Sequence, residues 1–124
     1  LEVRNGLEIA AGTHLQFLTQ GLLEVKPGAY LKALGTVAQP IRLTAVDTAQ
    51  TGNWRGLLIG SSSANNQLEY VELGNAGYSE GGMGGSIVLP SGSNAQLSLK
   101  NSLIFRSARY AVWVGNGTQF TESG

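Results

Sequence analysis

Apolar residues along this chain recur in short groups, each preceded by a small residue and followed by a residue that favours a turn. Residues 56–60, 86–90 and 111–115 share one arrangement, in which three apolar residues lie between a small residue and a strand-breaking one. The second group follows the first by 30 positions, and the third follows the second by 25. Residues 68–77 are similar to residues 99–108 in the same way. Two kinds of short strand therefore recur in a fixed order.

The N-terminal part contains a shorter internal similarity. Residues 7–15 match residues 23–31 at an offset of 16 positions. Each copy reads as a short alternating strand, a turn that ends in glycine, and a second alternating strand. Pro27 and Gly28 are a turn signal, because Pro fixes φ near about −65° and Gly accepts positive φ.

A period of about 25–30 residues, built only from short strands and turns rich in Gly, Ser and Asn, predicts an all-β solenoid. Antiparallel hairpins would show two-residue turns and a regular polar–apolar alternation, and helical repeats would show a period of about 3.6 residues. In a solenoid each strand pairs in parallel with its counterpart one coil later, about 4.8 Å away. We expect residues 1–124 to form a single β-helix domain or a fragment of one, with a loop insertion at about residues 74–85.

Stacked aliphatic residues are expected to fill the interior of such a solenoid. The repeated strands should contribute Leu57, Ile59, Ile87, Leu89, Val112 and Val114, with Leu68, Leu73, Leu99 and Ile104 on another wall. The lower coils should contribute Leu23, Val25, Leu31, Ala33, Ile41 and Leu43. Between these positions, Leu58, Val88 and Trp113 should point outward as an apolar stripe. The stripe is predicted either to pack under a loop or a missing part of a parent protein, or to be a ligand face on which Trp113 stacks against a sugar ring.

Charge and cysteine content narrow the classes of partner. Charged residues make up 13% of the chain, and eight basic residues balance eight acidic ones without a cluster of Lys and Arg. This argues against nucleic acid or an anionic membrane surface as the main partner. The sequence has no Cys, so it can form neither disulfides nor thiolate metal sites. Apolar runs are too short to span a bilayer, and the start at Leu1 rather than Met indicates a mature or excised segment.

Several segments together resemble a known family. Residues 6–21, residues 31–44 and the corner Gly52-Asn53-Trp54-Arg55-Gly56 are similar to the N-terminal coils of bacterial right-handed parallel β-helix proteins of the pectin-lyase-like superfamily. Residues 101–107 with residues 111–114 resemble a later repeat of that family, although Ala111 replaces its usual Gly. The resemblance covers roughly residues 6–115. It implies a right-handed parallel β-helix in a secreted or surface-exposed protein, and the repeat period predicts roughly four to five coils. It implies no activity, because members include lyases, hydrolases and adhesins.

Residues that could carry catalysis are scattered. Polysaccharide-cleaving enzymes on this fold need a calcium-binding group of carboxylates or neighbouring catalytic carboxylates. The single Asp, Asp47, is interpreted as a turn residue, and Glu69 and Glu72 should lie on opposite faces unless the strand bends between them. His14 has no second His or Cys with which to bind zinc, and residues 61–63 read as a polar turn. No catalytic residue, cofactor or metal ligand is therefore predicted, and an enzyme is the less favoured reading.

A ligand site is predicted only at one corner of the repeats. Because Arg55 aligns with Tyr110, we expect Arg55, Arg106 and Arg109 to cluster on the outside. The candidate ligand-binding residues are Arg55, Arg109, Tyr110 and Trp113. An arginine there could hold a carboxylated sugar through two hydrogen bonds. The sequence thus favours a non-enzymatic structural, adhesion or carbohydrate-binding module. Its partner would be a polysaccharide, flanking parts of a parent protein or another copy of the chain. The alternatives are a fragment of a polysaccharide lyase or hydrolase whose catalytic coils lie outside these residues, and a self-association segment.

Overall fold

The computed structural model describes residues 1–78 and 84–124. Within these ranges the regular structure consists of strands alone, fourteen of them. In chain order they are β1 (Glu2–Val3), β2 (Gly6–Ile9), β3 (His14–Phe17), β4 (Leu22–Val25), β5 (Tyr30–Leu34), β6 (Ile41–Ala45), β7 (Gly56–Ile59), β8 (Gln67–Glu69), β9 (Val71–Gly74), β10 (Gly85–Leu89), β11 (Gln96–Lys100), β12 (Leu103–Phe105), β13 (Tyr110–Val114) and β14 (Gln119–Ser123). Among the described residues, no helix has the length and apolar character needed to cross a bilayer.

The strands form three parallel sheets that the chain visits in a repeating order. The first sheet is ordered β1-β4-β7-β10-β13, the second β2-β5-β8-β11-β14 and the third β3-β6-β9-β12. Every recorded strand pair is parallel. Each strand before β14 is therefore followed along the chain by a strand of the next sheet, and each of the strands β1 to β11 pairs with the strand three places later. This all-β arrangement of three parallel sheets is compatible with the predicted β-helix.

The register reproduces the sequence repeats of the C-terminal two thirds. Leu57 pairs with Ile87 and Ile87 with Val112, which are the offsets of 30 and 25 read from the sequence. Leu68 likewise pairs with Leu99. The offset of 16 near the N-terminus does not correspond to a strand pair, because Leu7 pairs with Leu31 in the second sheet, 24 positions later. Residues 7–15 and 23–31 resemble each other although β2 and β4 lie in different sheets.

The interior is lined by the aliphatic side chains that the alternation singled out. Fully buried members of the predicted set are Leu23, Val25, Leu31, Ala33, Ile41, Leu43, Leu57, Ile59, Leu68, Leu73, Ile87 and Leu89. Val112 is only partly buried, and Val114 is 47% exposed although it pairs with Leu89. Both side chains lie on β13, the outermost strand of the first sheet, so no further strand covers them among the described residues.

In two segments that read as one long strand in the sequence, a residue with positive φ divides the segment into two strands. Tyr70, with φ of 50°, separates β8 from β9, and Asn101, with φ of 48°, separates β11 from β12. Leu68 and Leu99 therefore lie in the second sheet, whereas Leu73 and Ile104 lie in the third. The expectation that these four residues share one wall is wrong, because the chain turns at the positive-φ residue.

The corner formed by residues 52–56 is held by a buried tryptophan. Trp54 is fully buried, and its ring stacks on Phe17 with the centroids 4.1 Å apart and the planes 2° from parallel. Its Nε1 donates a hydrogen bond of 2.8 Å to the carbonyl oxygen of Gly74. The side chain thus ties β3 to the end of β9, which makes Trp54 a structural residue.

Asn66 places a polar group in an otherwise apolar column of the second sheet. It lies one position before the row Lys32, Gln67 and Ser98 in the register, hence between Leu31 and Leu97, and is 1% exposed. Its Oδ1 accepts a 2.9 Å hydrogen bond from the backbone N–H of Leu31. Its Nδ2 donates to the carbonyl oxygens of Ser61 and Gln96, each at 3.1 Å. The side chain therefore replaces backbone pairing where β8 is short, and it joins three successive strands of the sheet.

Candidate ligand face

The predicted apolar stripe exists as a column on the outer face of the first sheet. Leu58 pairs with Val88, and Val88 pairs with Trp113; Glu24 pairs with Leu58 and continues the column downward. Strand alternation directs all four side chains away from the interior, toward which the preceding residues Leu23, Leu57, Ile87 and Val112 point. The sequence therefore predicted this column correctly.

Exposure along the column is uneven. Leu58 is half-buried, Val88 is 5% exposed and Trp113 is 38% exposed. The indole lies beside the backbone of Gly84, where an added Cβ would come within 3.3 Å of its Cδ1 atom. The accessible apolar surface of the column is therefore concentrated at Trp113, and a continuous stripe is not exposed.

Arg55 and Arg109 lie at the same corner of the fold, in two segments that are far apart in the sequence. The N–H of Arg55 donates to the Gly21 carbonyl at 2.7 Å, and its carbonyl accepts from the N–H of Gly77 at 3.2 Å. Gly77 in turn lies against the backbone of Arg109, since a Cβ on it would come within 3.4 Å of the Arg109 nitrogen. At about 4.8 Å per parallel neighbour, the two arginine backbones are roughly 10 Å apart. The guanidinium Nε of Arg55 is buried and has no hydrogen-bond partner among the described residues.

Tyr110 and Trp113 do not share a face of β13. Tyr110 pairs with Gly85 and is 67% exposed at the start of the strand. Three positions separate Tyr110 from Trp113, so alternation puts Tyr110 on the side of Val112 and Trp113 on the other. The structure therefore groups Arg55 with Arg109 at the corner and places Trp113 on the outer sheet face. Their joint role in ligand binding stays a prediction.

Polar side chains that could have carried chemistry make structural contacts. His14 Nε2 lies 2.7 Å from Thr44 Oγ1 on the neighbouring strand. Asp47 Oδ1 accepts from the N–H of Ala49 at 2.9 Å, which closes its own turn. Arg42 Nε donates to Glu72 Oε2 at 2.9 Å, and the hydroxyl of buried Ser61 donates to the carbonyl of Ala29.

The two glutamates of the β8–β9 segment both lie on the outer side. The buried residues of β8 and β9 are Leu68, Val71 and Leu73, so Glu69 and Glu72 alternate with interior positions on either side of the bend at Tyr70. The chain therefore bends at Tyr70, and this bend brings Glu69 and Glu72 to the outer side. Within residues 1–78 and 84–124, no three His, Asp or Glu side chains are grouped so that they could hold a metal ion.

A shallow groove beside the same bend was not foreseen from the sequence. It has a volume of about 200 Å³, and its lining includes Val37, Pro40, Tyr70, Asn101 and Leu103. Val37 is 79% exposed and Leu103 is 56% exposed. Because the groove forms where two strands meet at a left-handed residue, single-strand alternation gave no sign of it.

Comparisons with protein families, curated proteins and solved structures found no match. The similarity to the pectin-lyase-like superfamily therefore rests on the motifs quoted from the sequence.

Proposed function

We propose that the chain is a right-handed parallel β-helix of roughly four to five coils and belongs among pectin-lyase-like proteins. We propose further that it serves as a non-enzymatic structural or carbohydrate-binding module of a secreted or surface-exposed bacterial protein. A polysaccharide is the ligand that fits its outer face best.

The order of the strands supports the β-helix. Sheets of five, five and four strands, each visited once before the chain returns to the first, correspond to between four and five coils. Connections between parallel strands of one sheet are right-handed in about 98% of cases. That strong preference supports a right-handed winding.

The position of Trp113 is the observation that carries the binding proposal. Its indole is 38% exposed at the end of an outward-facing column, so an apolar ring is available on a sheet whose interior face is already packed. Indole rings present a flat apolar face and a polar N–H together, which suits the C–H face and hydroxyls of a sugar. The exposed Arg109 at the adjacent corner adds a cation for a carboxylated sugar.

A binding and turnover experiment tests this proposal. The chain is titrated with pectin, alginate, chondroitin and xylan, with and without calcium, while product release is followed. We expect binding without turnover, and Trp113→Ala should weaken binding about three- to tenfold, as the loss of one aromatic contact of about 0.5–1.5 kcal/mol implies. Leu103→Ala removes an exposed apolar side chain from another sheet and is the matched control, with unchanged affinity expected.

Two results would contradict the proposal. Equal affinities of the Trp113→Ala and Leu103→Ala variants and the unaltered chain would remove Trp113 from the site. Turnover that a single carboxylate or arginine substitution abolishes would show that the module is an enzyme.

A further inference from the structure

Tyr70 has a backbone conformation that tyrosine rarely adopts. Its φ of 50° lies in the left-handed region, and it is the one aromatic residue with positive φ among the described residues. Tyr70 and Asn101 follow the paired residues Glu69 and Lys100, so Asn101, with φ of 48°, occupies the same position on the next coil. Asparagine tolerates this region better than tyrosine does. An unfavourable conformation that is kept in this way indicates that the side chain has a function.

The half-buried side chain of Tyr70 lines the groove beside this bend. Val37 and Pro40 add apolar surface from the connection between β5 and β6. The groove has a volume of about 200 Å³, which is less than the roughly 300–1,000 Å³ of a site for a drug-sized ligand. It therefore suits a ligand group of the size of one sugar ring.

Two polar groups of the groove lining are held in place by the protein. Glu72 Oε2 accepts a hydrogen bond of 2.9 Å from Arg42 Nε, and Thr36 Oγ1 accepts one of 3.0 Å from the N–H of Gln39. These bonds leave the Oε1 atom of Glu72 and the hydroxyl hydrogen of Thr36 unused. A carboxylate only accepts hydrogen bonds, whereas a hydroxyl also donates. The groove thus offers a ligand one fixed acceptor and one fixed donor.

The charge of the lining narrows the class of ligand. Glu72 is the one charged residue among the described residues that line the groove, and Arg42, which pairs with it, lies outside the lining. A carboxylated sugar would bring a second negative charge next to Glu72, and a cationic ligand would compete with Arg42 for the carboxylate. An uncharged ligand that carries N–H or O–H donors is complementary to this lining.

We propose that the groove is a second ligand site, which takes an uncharged N-acetylhexosamine residue of a glycan. The C–H face of the sugar ring lies on the Tyr70 ring, and the acetamido methyl group contacts Val37 and Pro40. An N–H or O–H group of the sugar donates to Glu72 Oε1. Pectin, alginate, chondroitin and xylan have no uninterrupted run of N-acetylhexosamine residues, so their binding does not depend on this groove.

Calorimetric titration with triacetylchitotriose, a trimer of N-acetylglucosamine, tests the proposal. The unaltered chain should bind the trimer, and Tyr70→Asn should weaken binding about three- to tenfold, as the loss of one aromatic contact implies. The thermal midpoint of Tyr70→Asn should be unchanged or raised, because asparagine suits the left-handed backbone. Tyr110→Asn removes an exposed tyrosine from another sheet and is the matched control, with unchanged affinity expected.

The acetamido group is tested by a second sugar and a second variant. Cellotriose has hydroxyl groups in place of the acetamido groups, and it should bind about fourfold more weakly, as the loss of one buried methyl group implies. Val37 is 79% exposed, so the fold should tolerate Val37→Ser. This variant should bind triacetylchitotriose more weakly and cellotriose as the unaltered chain does.

Four results would overturn the proposal. The unaltered chain does not bind triacetylchitotriose at millimolar concentration, or it binds both trimers equally well. Tyr70→Asn unfolds or keeps its full affinity, which would show that the tyrosine is kept for packing. Trp113→Ala weakens binding of triacetylchitotriose as much as Tyr70→Asn does, which would place the sugar on the first sheet. The polysaccharide site at Trp113 is tested with other ligands, so either site can fail without the other.

Discussion

Asn66 should be the polar residue whose side chain matters most to stability. It is 1% exposed and makes three hydrogen bonds, one each to β5, to β11 and to Ser61 in the connection between β7 and β8. Asn66→Ala removes all three and leaves one backbone N–H and two carbonyl oxygens without these partners. Asn66→Leu fills the column between Leu31 and Leu97 with another aliphatic side chain but provides no hydrogen bond. A comparison of the two variants therefore shows whether the loss of stability comes from the missing side-chain volume or from the missing hydrogen bonds.

The expected cost follows from the number of bonds lost. A buried hydrogen bond contributes about 0.5–1.5 kcal/mol net, and a buried group left unsatisfied costs about 1–3 kcal/mol. Three such bonds imply that Asn66→Ala lowers the free energy of unfolding by about 3–5 kcal/mol. That is a large part of the roughly 5–15 kcal/mol of a typical domain. Asn66→Leu should lose about as much, because Leu provides none of the three hydrogen bonds; the Ser61 carbonyl then keeps only its bond from the N–H of Gln96.

Urea unfolding followed by circular dichroism measures these differences. The neighbouring Asn65→Ala is the control, since Asn65 is exposed and its loss should change the free energy of unfolding by no more than about 0.5 kcal/mol. A more stable Asn66→Leu variant would refute the reasoning, because it would show that the column needs an apolar residue more than the three hydrogen bonds.

Two further predictions concern Trp54 and the surface charges. Trp54→Phe keeps an aromatic ring that can stack on Phe17 but loses the bond to the Gly74 carbonyl, so the free energy of unfolding should fall by about 1–3 kcal/mol. Trp113→Phe is its exposed control; an equal loss in both variants would contradict the buried role of Trp54. The ion pair between Arg42 and Glu72 has side chains that are 53% and 35% exposed. A double-mutant cycle should therefore give a coupling free energy below about 1 kcal/mol. A larger coupling free energy would show that the pair is structurally important.

The sequence repeats predicted the strand register correctly where the repeated apolar triplets lie in strands of the same sheet. Leu57, Ile87 and Val112 align in the sequence and pair in the structure, since the apolar triplet that defines the repeat is also what the interior selects. The similarity between residues 7–15 and residues 23–31, at an offset of 16, does not correspond to paired strands. Strands of different sheets face the same interior and so acquire the same alternation, which the sequence alone cannot distinguish from a repeat.

Other features follow from contacts between strands that are distant in the chain. The bend at Tyr70 depends on a left-handed backbone conformation that is uncommon for a tyrosine, so nothing in the sequence indicates that the strand divides there. Asn66 lies in an interior column although it is polar, and only its partners from β5 and β11 explain why. The burial of Val88, which is 5% exposed, does not follow from the sequence either, because an outward direction does not reveal what covers a side chain.

The direction of the side chains in β7 and β10 is the central claim, and a comparison of Ile87→Asp with Leu58→Asp tests it most directly. Ile87 is fully buried between Leu57 and Val112, whereas Leu58 is half-buried on the outer face. An aspartate at position 87 would lie unpaired in the interior and should cost more than about 4 kcal/mol, enough to unfold the chain or nearly so. Leu58→Asp should cost about 1 kcal/mol and leave a cooperative thermal transition. Equal losses of thermal stability in the two variants, or a greater loss for Leu58→Asp, would contradict the assigned register, because a shift of one residue exchanges the two faces.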